Sequence, residues 1–552
     1  MTVHSLNIAA TLTRTAARYP QAAAVVVPAG RDASGQRKYH EWTFQQLDRE
    51  SDIIAHGLRG MGVAPGMRIA LLVRPGIEFI ACTYALFKVG AVVVLIDPGM
   101  GGRAVFRCLD QVEPQGFVAV PAVHAIRLLN RGRFRHARLN LTVGRRWFWC
   151  GPTYAHWAEQ AWRPLELAET AASDTAAILF TSGSTGPAKG VVYEHGMFAA
   201  QVEWLREHYG IEPGEIDLPG FPLFALFNAA MGVTTVIPDM NPSRPARCRP
   251  ELIVEAIKDR QVTQAFGSPA IWNRVGRYCE QQNLQLPGLK RVLSAGAPVP
   301  ERVLLRMQRA LVGHQAEMYT PYGATEALPV ASIAASAILC QTAAQTRAGA
   351  GTCVGRVFSH LRLKIIEIDA RPIHDAQQFC ELPAGEVGEI IVQGDVVTRE
   401  YFRQPQATAL AKIQDGDRFW HRLGDVGYLD SEGRLWFCGR KAHVVETVAG
   451  RMFTECCEPV FNAHPRVFRC ALVGVGPRPQ QTPVIIIEPE AGRLPRRREI
   501  AAWTNELQAL AAACPATQAI QRFLFRSSLP VDIRHNVKID RERLAQWAAT
   551  RR

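Results

Sequence analysis

Residues 178–192 read ILFTSGSTGPAKGVV, an apolar run followed by glycines, hydroxyl side chains and one lysine, and then by apolar residues again. Hydroxyl groups donate hydrogen bonds, and glycines let the backbone bend and present its N–H groups, so this loop suits an anionic ligand such as a phosphate. The alternative is an ordinary surface turn, because glycine-rich stretches are common. The candidate contacts are Thr181, Ser182, Gly183, Ser184, Thr185, Gly186 and Lys189.

The loop differs from two better-known phosphate-binding motifs. Lys189 is preceded by Ala188 and followed by Gly190, so the Gly-Lys-Ser/Thr ending of a P-loop is missing. The spacing of Gly183 and Gly186 does not fit the G-x-G-x-x-G dinucleotide fingerprint. We therefore expect neither a P-loop nor a Rossmann-type site at this position.

Strand-like and helix-like segments alternate through the first part of the chain. RIALLV, GAVVVLID and AAILFTSG are short and rich in β-branched residues, whereas LDRESDIIAHGLRGMG and ELIVEAIKDRQV have the helical period. This alternation favours βαβ units and parallel sheets. After about Arg356, short strands between turn signals predict a smaller, more antiparallel β-unit. The small-residue segment that starts at Ala334 is expected to be a flexible flap.

We predict an α/β protein of two domains, because 552 residues exceed what one hydrophobic core usually supports. Residues 1–439 are expected to form a large domain of stacked, mostly parallel α/β sheets plus a small β-unit. Strand and helix patterns begin again after Lys441, so residues 440–552 are expected to form a small, mobile α+β domain.

Composition narrows the class of protein. The N-terminus lacks a basic segment followed by an apolar one, and no apolar run approaches the roughly 18 residues of a spanning helix, which predicts a soluble, cytoplasmic chain without a transmembrane segment. The 13 cysteines contain no C-x-x-C pair and are expected to be reduced thiols. The formal charge of +13 is compatible with nucleic acid, an anionic membrane or anionic small substrates.

One segment, Asn130 to Cys150, mixes arginines with aromatic residues and resembles a surface for nucleic acid or lipid head groups. A solvated face is the simpler interpretation, and we expect no nucleic-acid partner. The chain has only nine lysines, so Lys189 and Lys538 stand out at the places where they occur.

Taken in order, five stretches resemble motifs of the adenylate-forming (AMP-dependent synthetase/ligase) superfamily, which includes acyl-CoA synthetases, adenylation domains of peptide synthetases and luciferases. They are TSGSTGPAKG (181–190), VLSAGAPVP (292–300), YGATE (322–326), HRLGDVGYLDSEGRLWFCGRK (421–441) and LPVDIRHNVKIDRERL (529–544). The resemblance spans most of the chain. It implies an AMP-forming ligase that uses ATP and Mg²⁺ to convert a carboxylate into an acyl adenylate, because a free carboxylate is a poor electrophile.

The resemblance also assigns roles to residues of the nucleotide site. Tyr322 would offer its ring face to adenine, and the turns at Gly296-Ala297 and Gly323 would approach the base closely. Asp425 would accept the ribose hydroxyls, with Arg440 at the same corner. A turn-capping aspartate is the structural alternative for Asp425.

Three further residues would act on the reacting groups. Thr325 would donate to a phosphate, and Glu326, together with Thr185, would bind Mg²⁺, which prefers hard oxygen ligands. Lys538 matches the superfamily's late catalytic lysine, a point cation on a flexible stem that neutralises charge at the α-phosphate and the substrate carboxylate. His195 is interpreted as a structural residue.

The acceptor of the acyl group depends on the stretch after residue 439. Thioester-forming members carry a pattern like G-R-x-D-D-x-I-K, whereas this chain has GRKAHVVE, with Ala442 and His443 in place of the aspartates. This departure disfavours a CoA thioester. The stretches PLFALFNAAMG, VIPDM, FCGRKAHVVET and FNAHPRVFRCALVGVG are similar to OleC-type β-lactone synthetases of bacterial long-chain olefin biosynthesis.

That similarity implies a long-chain 2-alkyl-3-hydroxy acid as substrate and an attack of its own 3-hydroxyl on the adenylate. An internal nucleophile has an effective molarity of ~10⁵ M or more in well-oriented cases, which offsets part of the ring strain. The products would be a β-lactone, AMP and diphosphate. The resemblance also implies association with the thiolase, reductase and β-lactone decarboxylase of that pathway.

The acyl tunnel should be apolar, and Phe224 and Phe227 are its candidate wall, although ordinary helix packing explains them equally well. Two alternative functions stay open at this point. One is a long-chain fatty acyl-CoA synthetase or acyl-AMP ligase. The other is a nucleic-acid or lipid-surface binding protein with an inactive adenylation fold.

Overall fold

The computed structural model describes residues 6–181, 188–313, 315–531 and 538–551, and the strands within these ranges form five sheets. Two of the sheets are large and mostly parallel, one is large and antiparallel, and two smaller ones follow at the C-terminal end. This confirms the predicted α/β class, with stacked, mostly parallel sheets in the larger part of the chain.

A six-stranded sheet has strands on both sides of the glycine-rich loop in the sequence, in the order β6-β5-β3-β4-β7-β8. Its central strand β4 is VVVLI and is buried along its whole length, as expected for a parallel strand covered on both faces. Only β8 runs antiparallel to its neighbour, β7. The strands are β3 (Arg68–Leu72), β4 (Val92–Ile96), β5 (Gly116–Ala119), β6 (Leu139–Thr142), β7 (Thr175–Thr181) and β8 (Lys189–Glu194).

A seven-stranded sheet has the order β13-β12-β11-β9-β10-β1-β2, and only the pair β1–β2 is antiparallel. The carboxyl ends of β11 and β12 therefore lie at the same edge of this sheet. The strands are β1 (Ala23–Arg31), β2 (Arg37–Thr43), β9 (Ile216–Pro219), β10 (Thr234–Val236), β11 (Gln264–Gly267), β12 (Arg291–Ser294) and β13 (Glu317–Tyr319).

The predicted β-unit is antiparallel as expected but is not small: its eight strands, in the order β14-β15-β16-β21-β20-β18-β17 with β19 paired to β20, outnumber those of either parallel sheet. It begins at Tyr322, earlier than Arg356, because the β14–β15 hairpin pairs with β16. The strands are β14 (Tyr322–Ala324), β15 (Ala327–Ser332), β16 (Thr352–Val357), β17 (Arg362–Ile366), β18 (Gly388–Gln393), β19 (Lys412–Asp415), β20 (Arg418–Leu429) and β21 (Leu435–Arg440).

The C-terminal elements follow β21 directly. They comprise a two-stranded sheet of β22 (Val445–Thr447) and β23 (Gly450–Met452), and a three-stranded sheet of β24 (Val467–Val475), β25 (Thr482–Pro489) and β26 (Arg522–Phe525). Gly439 has φ +132°, and a Cβ there would lie 2.3 Å from Oγ1 of Thr454, the first residue of a C-terminal helix. A glycine is therefore needed where β21 meets that helix.

Residues 335–347 form short helices instead of the expected flap. Ile338 and Leu339 pack against the hydrophobic core of the seven-stranded sheet. Just after these helices, the Cys514 thiol donates to the carbonyl of Ala348 across 3.3 Å. Small side chains here permit close helix packing, which the sequence pattern alone does not distinguish from flexibility.

The α-helices pack their apolar faces against the sheets. The longest, α2, begins with a capping box in which Thr43 and Gln46 bond reciprocally. No helix in the described ranges has both the length and the apolar character needed to cross a membrane. The helices are α1 (Ala10–Arg18), α2 (Phe44–Gly60), α3 (Ile77–Lys88), α4 (Gly102–Val112), α5 (Pro121–Leu129), α6 (Tyr154–Ala158), α7 (His195–Tyr209), α8 (Ala225–Met231), α9 (Pro250–Asp259), α10 (Pro269–Gln282), α11 (Glu301–Ala310), α12 (Ala335–Ala337), a π-helix (Ile338–Thr342), α13 (Ala343–Arg347), α14 (Pro405–Ala411), α15 (Thr454–Asn462), α16 (Arg497–Ala512) and α17 (Arg541–Ala549).

Candidate active site

The structure contains a cavity of about 1840 Å³. Residues of the six-, seven- and eight-stranded sheets and of the C-terminal elements line it. It brings together most of the residues that the sequence predicted. Thr181 ends β7 and pairs with Lys189 of β8, whereas Ser182, Gly183, Ser184, Thr185 and Gly186 lie outside the described residues. The predicted residues that line the cavity are Lys189, Phe224, Phe227, Gly296, Ala297, Tyr322, Gly323, Thr325, Glu326, Asp425, Arg440 and Lys538.

The corner predicted to hold the nucleotide is built by strands β14, β20 and β21. Asp425 and Arg440 are direct partners across β20 and β21, and Oδ1 of Asp425 lies 2.9 Å from Nη1 of Arg440. The Tyr322 hydroxyl donates to Oδ2 of Asp425 at 2.6 Å. The strand register therefore holds the tyrosine, the carboxylate and the guanidinium against one another, and the tyrosine contact was not predicted.

The surroundings of the Asp425 carboxylate allow it to accept a hydrogen bond from a ligand. Burial raises the pKa of Asp425, while the charge of Arg440 and the hydrogen bond from Tyr322 oppose that rise. Although Oδ1 is buried and close to Arg440, it accepts no hydrogen bond of normal geometry among the described residues. Apart from the Arg440 guanidinium, this oxygen has no close polar partner among the described residues, so a hydroxyl of a bound ligand would be accommodated favourably there.

Lys538 reaches the same corner from the C-terminal part of the chain. It lines the cavity, and its charge is close enough to Asp425 to lower the pKa of that carboxyl. A cation is therefore available beside the nucleotide corner, more than 100 residues after Asp425 in the sequence.

Two glycines let the backbone approach the cavity. Gly296 has φ +96°, in the left-handed region that favours glycine. At Gly323, a Cβ would lie 2.8 Å from the carbonyl oxygen of Ala327. The β14–β15 hairpin therefore requires a glycine at position 323, and both glycines line the cavity.

Glu326 is oriented by a tyrosine that the sequence analysis missed. The Tyr401 hydroxyl donates to Oε1 of Glu326 at 2.7 Å, and the backbone N–H of Thr398 donates to the carbonyl of Glu326 at 2.9 Å. The Lys189 ammonium lies 4.5 Å from the centre of the Tyr401 ring. A second hydroxyl, from Tyr193, donates to the Thr325 carbonyl at 2.5 Å.

A further lysine lies behind this cluster. The Lys412 ammonium donates to the Thr398 carbonyl. Burial lowers the pKa of Lys412 to about 7; the charge of Glu326 counteracts this and that of Lys189 adds to it. Lys189 therefore supplies a cation to the side of the cavity that holds Glu326, whereas Lys412 is buried behind it.

The opposite wall of the cavity is aromatic. The rings of Phe224 and Phe266 are stacked with centroids 3.9 Å apart, and the ring of Phe227 lies 6.0 Å from that of Phe224. Phe221 lies 5.7 Å from Phe224 on the same wall. These side chains line the cavity and also pack against one another. Phe224 and Phe227 therefore fit both the tunnel wall and the ordinary packing that the sequence allowed.

One carboxyl group interrupts this apolar region. Asp217, in β9, is buried, lines the cavity and accepts a hydrogen bond from Nδ2 of Asn228 at 2.7 Å. Burial raises the pKa of Asp217 to about 7, against the lowering effect of Asn228. The same Asn228 amide also donates to Thr235 at 3.0 Å. A polar cluster of Asp217, Asn228 and Thr235 therefore lies beside the aromatic wall.

His195 does not line the cavity. Its Nδ1 accepts the backbone N–H of Ile8 at 3.2 Å, and burial lowers the pKa of His195 to about 4, which keeps the imidazole neutral. Its position at the start of α7 agrees with a structural role.

The donor set fits Mg²⁺ held partly by a substrate. In the described part of the chain no group of three or more His, Cys, Asp or Glu side chains could hold a metal alone. Mg²⁺ keeps several waters and binds through one or two carboxylates plus substrate phosphates, so the single carboxylate of Glu326 beside a phosphate site is compatible with it. Thr185, the other predicted ligand, lies outside the described residues.

Three comparisons relate the chain to known proteins. A family model described as AMP-binding enzyme matches residues 12–402. The chain is 47% identical, over 99% of its length and 98% of the relative, to a protein of Xanthomonas campestris pv. campestris named olefin beta-lactone synthetase. It is also 47% identical, over 98% of both chains, to a protein of the same name from Stenotrophomonas maltophilia.

A solved structure shares the fold at low sequence identity. The amide bond synthetase McbA from Marinactinospora thermotolerans matches with a TM-score of 0.79 and 23% identity, over 98% of this chain and 99% of that one. The match extends through the C-terminal elements, so it covers the arrangement of all five sheets.

Proposed function

Because the chain belongs to the AMP-binding enzyme family, we propose that it is an AMP-forming ligase that converts a long-chain 2-alkyl-3-hydroxy acid into a β-lactone. ATP is the second substrate, and AMP and diphosphate are released. The name of the two relatives at 47% identity supports the lactone product, and the apolar wall of the cavity supports a long-chain acid.

One observation carries this proposal most directly. A single cavity contains the buried Asp425–Arg440 pair, the Lys538 cation and the Phe224–Phe266 stack. A nucleotide, a carboxylate and an alkyl chain can therefore be bound side by side, as the transfer of AMP to a fatty acid requires.

The nucleotide would be oriented by the β20–β21 corner. The Asp425 carboxylate would accept the ribose hydroxyls, and the charge of Arg440 favours its ionised form. Tyr322, fixed through its hydroxyl, presents a ring to adenine beside the backbone of Gly296 and Gly323. Ser182 to Gly186 would contact the phosphates together with Thr181, Thr325 and Lys189.

Glu326 would hold Mg²⁺, with Tyr401 fixing the orientation of its carboxylate. When bound, Mg²⁺ neutralises phosphate charge and makes diphosphate a better leaving group. Lys189 adds positive charge at the same side of the cavity.

In the first step, an oxygen of the substrate carboxylate attacks the α-phosphorus of ATP, and the bond to diphosphate breaks. Lys538 would stabilise the charge that develops on the phosphoryl oxygens, because a preformed cation in a partly enclosed site requires no solvent reorganisation. The acid then carries AMP as a leaving group.

In the second step, the 3-hydroxyl oxygen attacks the acyl carbon, the bond to AMP breaks, and one proton is released. The aromatic wall would fold the alkyl chains against Phe224 and Phe227 and keep the hydroxyl near the carbonyl. Because the nucleophile belongs to the substrate, the chain needs no site for a second acceptor.

The remaining features of the proposal concern the whole protein. Residues 440–552 would move as a lid that brings Lys538 to the nucleotide, with the pivot at Arg440, where the antiparallel sheet ends. We further propose a cytoplasmic enzyme that associates with the thiolase, reductase and β-lactone decarboxylase that make and consume such compounds.

The test is to incubate purified protein with ATP, Mg²⁺ and a 2-alkyl-3-hydroxy acid, with and without CoA, and to identify the product by mass spectrometry. We expect a β-lactone and AMP in amounts that do not depend on CoA. A thioester that forms only with CoA would replace this proposal with the acyl-CoA synthetase alternative.

A further inference from the structure

The loop between β6 and α6 exposes two large aromatic side chains. Trp147 is 56% exposed and Phe148 is 76% exposed. Aromatic side chains of this size gain much from burial, so two adjacent exposed rings are unusual on a protein surface. They form an apolar tip that no other described part of the chain covers.

The tip stands on an anchored base. Nε1 of Trp149 donates to Oγ1 of Thr142 at 3.0 Å, and the Trp149 ring lies 5.8 Å from the ring of His124. The rings of Trp147 and Phe148 lie 5.9 Å and 5.2 Å from that of Trp149. The two exposed rings therefore pack against Trp149, which is itself fixed to Thr142, and this packing holds them at the surface.

Arginines surround the tip. Arg145 and Arg146 directly precede the rings, and Arg74 and Arg103 follow β3 and β4. Since β3, β4, β5 and β6 are parallel, these arginines lie at the same edge of the six-stranded sheet as the tip. All four are exposed, and Nη1 of Arg146 donates to the carbonyl of Gly151 at 2.5 Å. We call Arg74, Arg103, Arg145, Arg146, Trp147 and Phe148 the aromatic–arginine edge.

We propose that the aromatic–arginine edge docks on the surface of an anionic lipid bilayer. The guanidinium groups would contact lipid phosphates, and the two rings would enter the boundary between head groups and acyl chains. The chain's formal charge of +13 favours approach to such a surface. The choice of a bilayer over a polynucleotide rests on the proposed function, because a long-chain acid and its lactone both partition into membranes.

The experiment measures co-sedimentation of the full chain with vesicles of mixed phosphatidylglycerol and phosphatidylcholine, and with vesicles of phosphatidylcholine alone. We expect binding to the anionic vesicles that weakens at high salt. Arg145→Gln with Arg146→Gln should weaken it by ~10-fold or more, because each basic residue near an anionic surface contributes about a fivefold preference. Trp147→Ser with Phe148→Ser should weaken it by about tenfold or more through lost apolar contact.

Two double variants serve as matched controls on another surface. Arg497→Gln with Arg498→Gln removes the same charge from exposed positions of α16, and Leu494→Ser with Ile500→Ser removes two exposed apolar side chains. Both should bind vesicles within about twofold of the parent chain. All four variants lie outside the cavity lining, so turnover of detergent-dispersed acid should be unchanged and reports that they are folded.

The proposal is overturned if the parent chain does not bind anionic vesicles or if the control variants lose binding equally. It is also overturned if a single-stranded polynucleotide, and not the vesicles, is bound through the same residues. Lactone formation in detergent is measured separately. A chain that binds vesicles without making lactone contradicts only the proposed function, and the reverse result contradicts only the docking.

Discussion

The nucleotide corner and the aromatic wall of the cavity are each stabilised by a different kind of contact. At the nucleotide corner, Tyr322, Asp425 and Arg440 are joined by polar contacts of 2.6 and 2.9 Å. At the aromatic wall, Phe224 and Phe266 are joined by ring stacking at 3.9 Å. Hydrogen bonds to charged groups fix direction as well as distance, whereas apolar contact mainly fixes spacing. The corner is thus built to position one ligand, and the wall to accept a range of chains.

The largest effect is expected at Lys538. Replacing it with alanine removes a preformed cation from the reacting phosphoryl group, a change that typically costs about 3 kcal/mol. Lys538→Ala should therefore reduce ATP–diphosphate exchange by about a hundredfold or more with every acid tested. Lys258→Ala, on an exposed face of α9, is the matched control. Unchanged exchange in Lys538→Ala would remove this residue from the chemistry.

The next effect is expected at Asp425. Asp425→Asn keeps an acceptor for Tyr322 but removes the charge that pairs with Arg440 and would bind the ribose. Hydrogen bonds to charged groups contribute about 1.5–3 kcal/mol, so KM for ATP should rise by roughly 10- to 100-fold. Steady-state kinetics should show KM for the acid within about twofold of the parent value.

Asp417→Asn is the control, because Asp417 is exposed and lies outside the cavity lining. If Asp425→Asn changed the order of preference among acids, the nucleotide corner and the aromatic wall would not bind their ligands independently.

A smaller and different effect is expected at the aromatic wall. Phe224→Ala removes the stack on Phe266, and such ring pairs contribute about 0.5–1.5 kcal/mol beyond their buried area. We expect kcat/KM for long-chain acids to fall by about tenfold, with KM for ATP unchanged, in a series of acids of increasing length. Phe379→Ala, a ring packed on Trp420 outside the cavity lining, should leave the preference among acids as it is.

The fourth prediction concerns stability. Burial raises the pKa of Asp217 to about 7 from an ordinary value near 3.8, so the folded state holds a proton that the unfolded state has lost between these values. The contribution of Asp217 to the free energy of unfolding therefore falls as pH rises through this window and levels off above it, by an amount on the order of 4 kcal/mol.

Asp217→Asn cannot ionise and should remove this dependence, which makes the variant more stable than the parent at pH 8 and similar at pH 4. Urea unfolding at several pH values measures the difference, with Asp417→Asn as the reference. A parent curve that rises between pH 4 and 7 while the Asp217→Asn curve stays parallel to it would contradict the assignment.

The sequence predicted the large elements of the fold because their signals are local. The buried run VVVLI of β4 is apolar at every position, and the alternation of such runs with helical segments predicts parallel sheets. The nucleotide-corner residues were predictable since each lies in a motif that resembles a known family. The helices of residues 335–347 were not, because small side chains serve both packed helices and loops.

The contacts that complete the site depend on tertiary pairing. Tyr401 and Glu326 are 75 residues apart, and Tyr322 and Asp425 are 103 residues apart. No local pattern indicates that these side chains meet. Asp217 lies between Ile216 and Leu218 in a short strand, and only the packing of β9 shows that its side chain borders the cavity.

Gly439 should make the start of the C-terminal part of the chain intolerant of substitution at one position. Any other residue at this position would combine a strained backbone with a side chain placed against Thr454, which together should cost a few kcal/mol. Ala442, three residues later, is exposed and meets no such restriction. Under selection for folding, a saturation library should therefore retain glycine at position 439 and tolerate many residues at position 442.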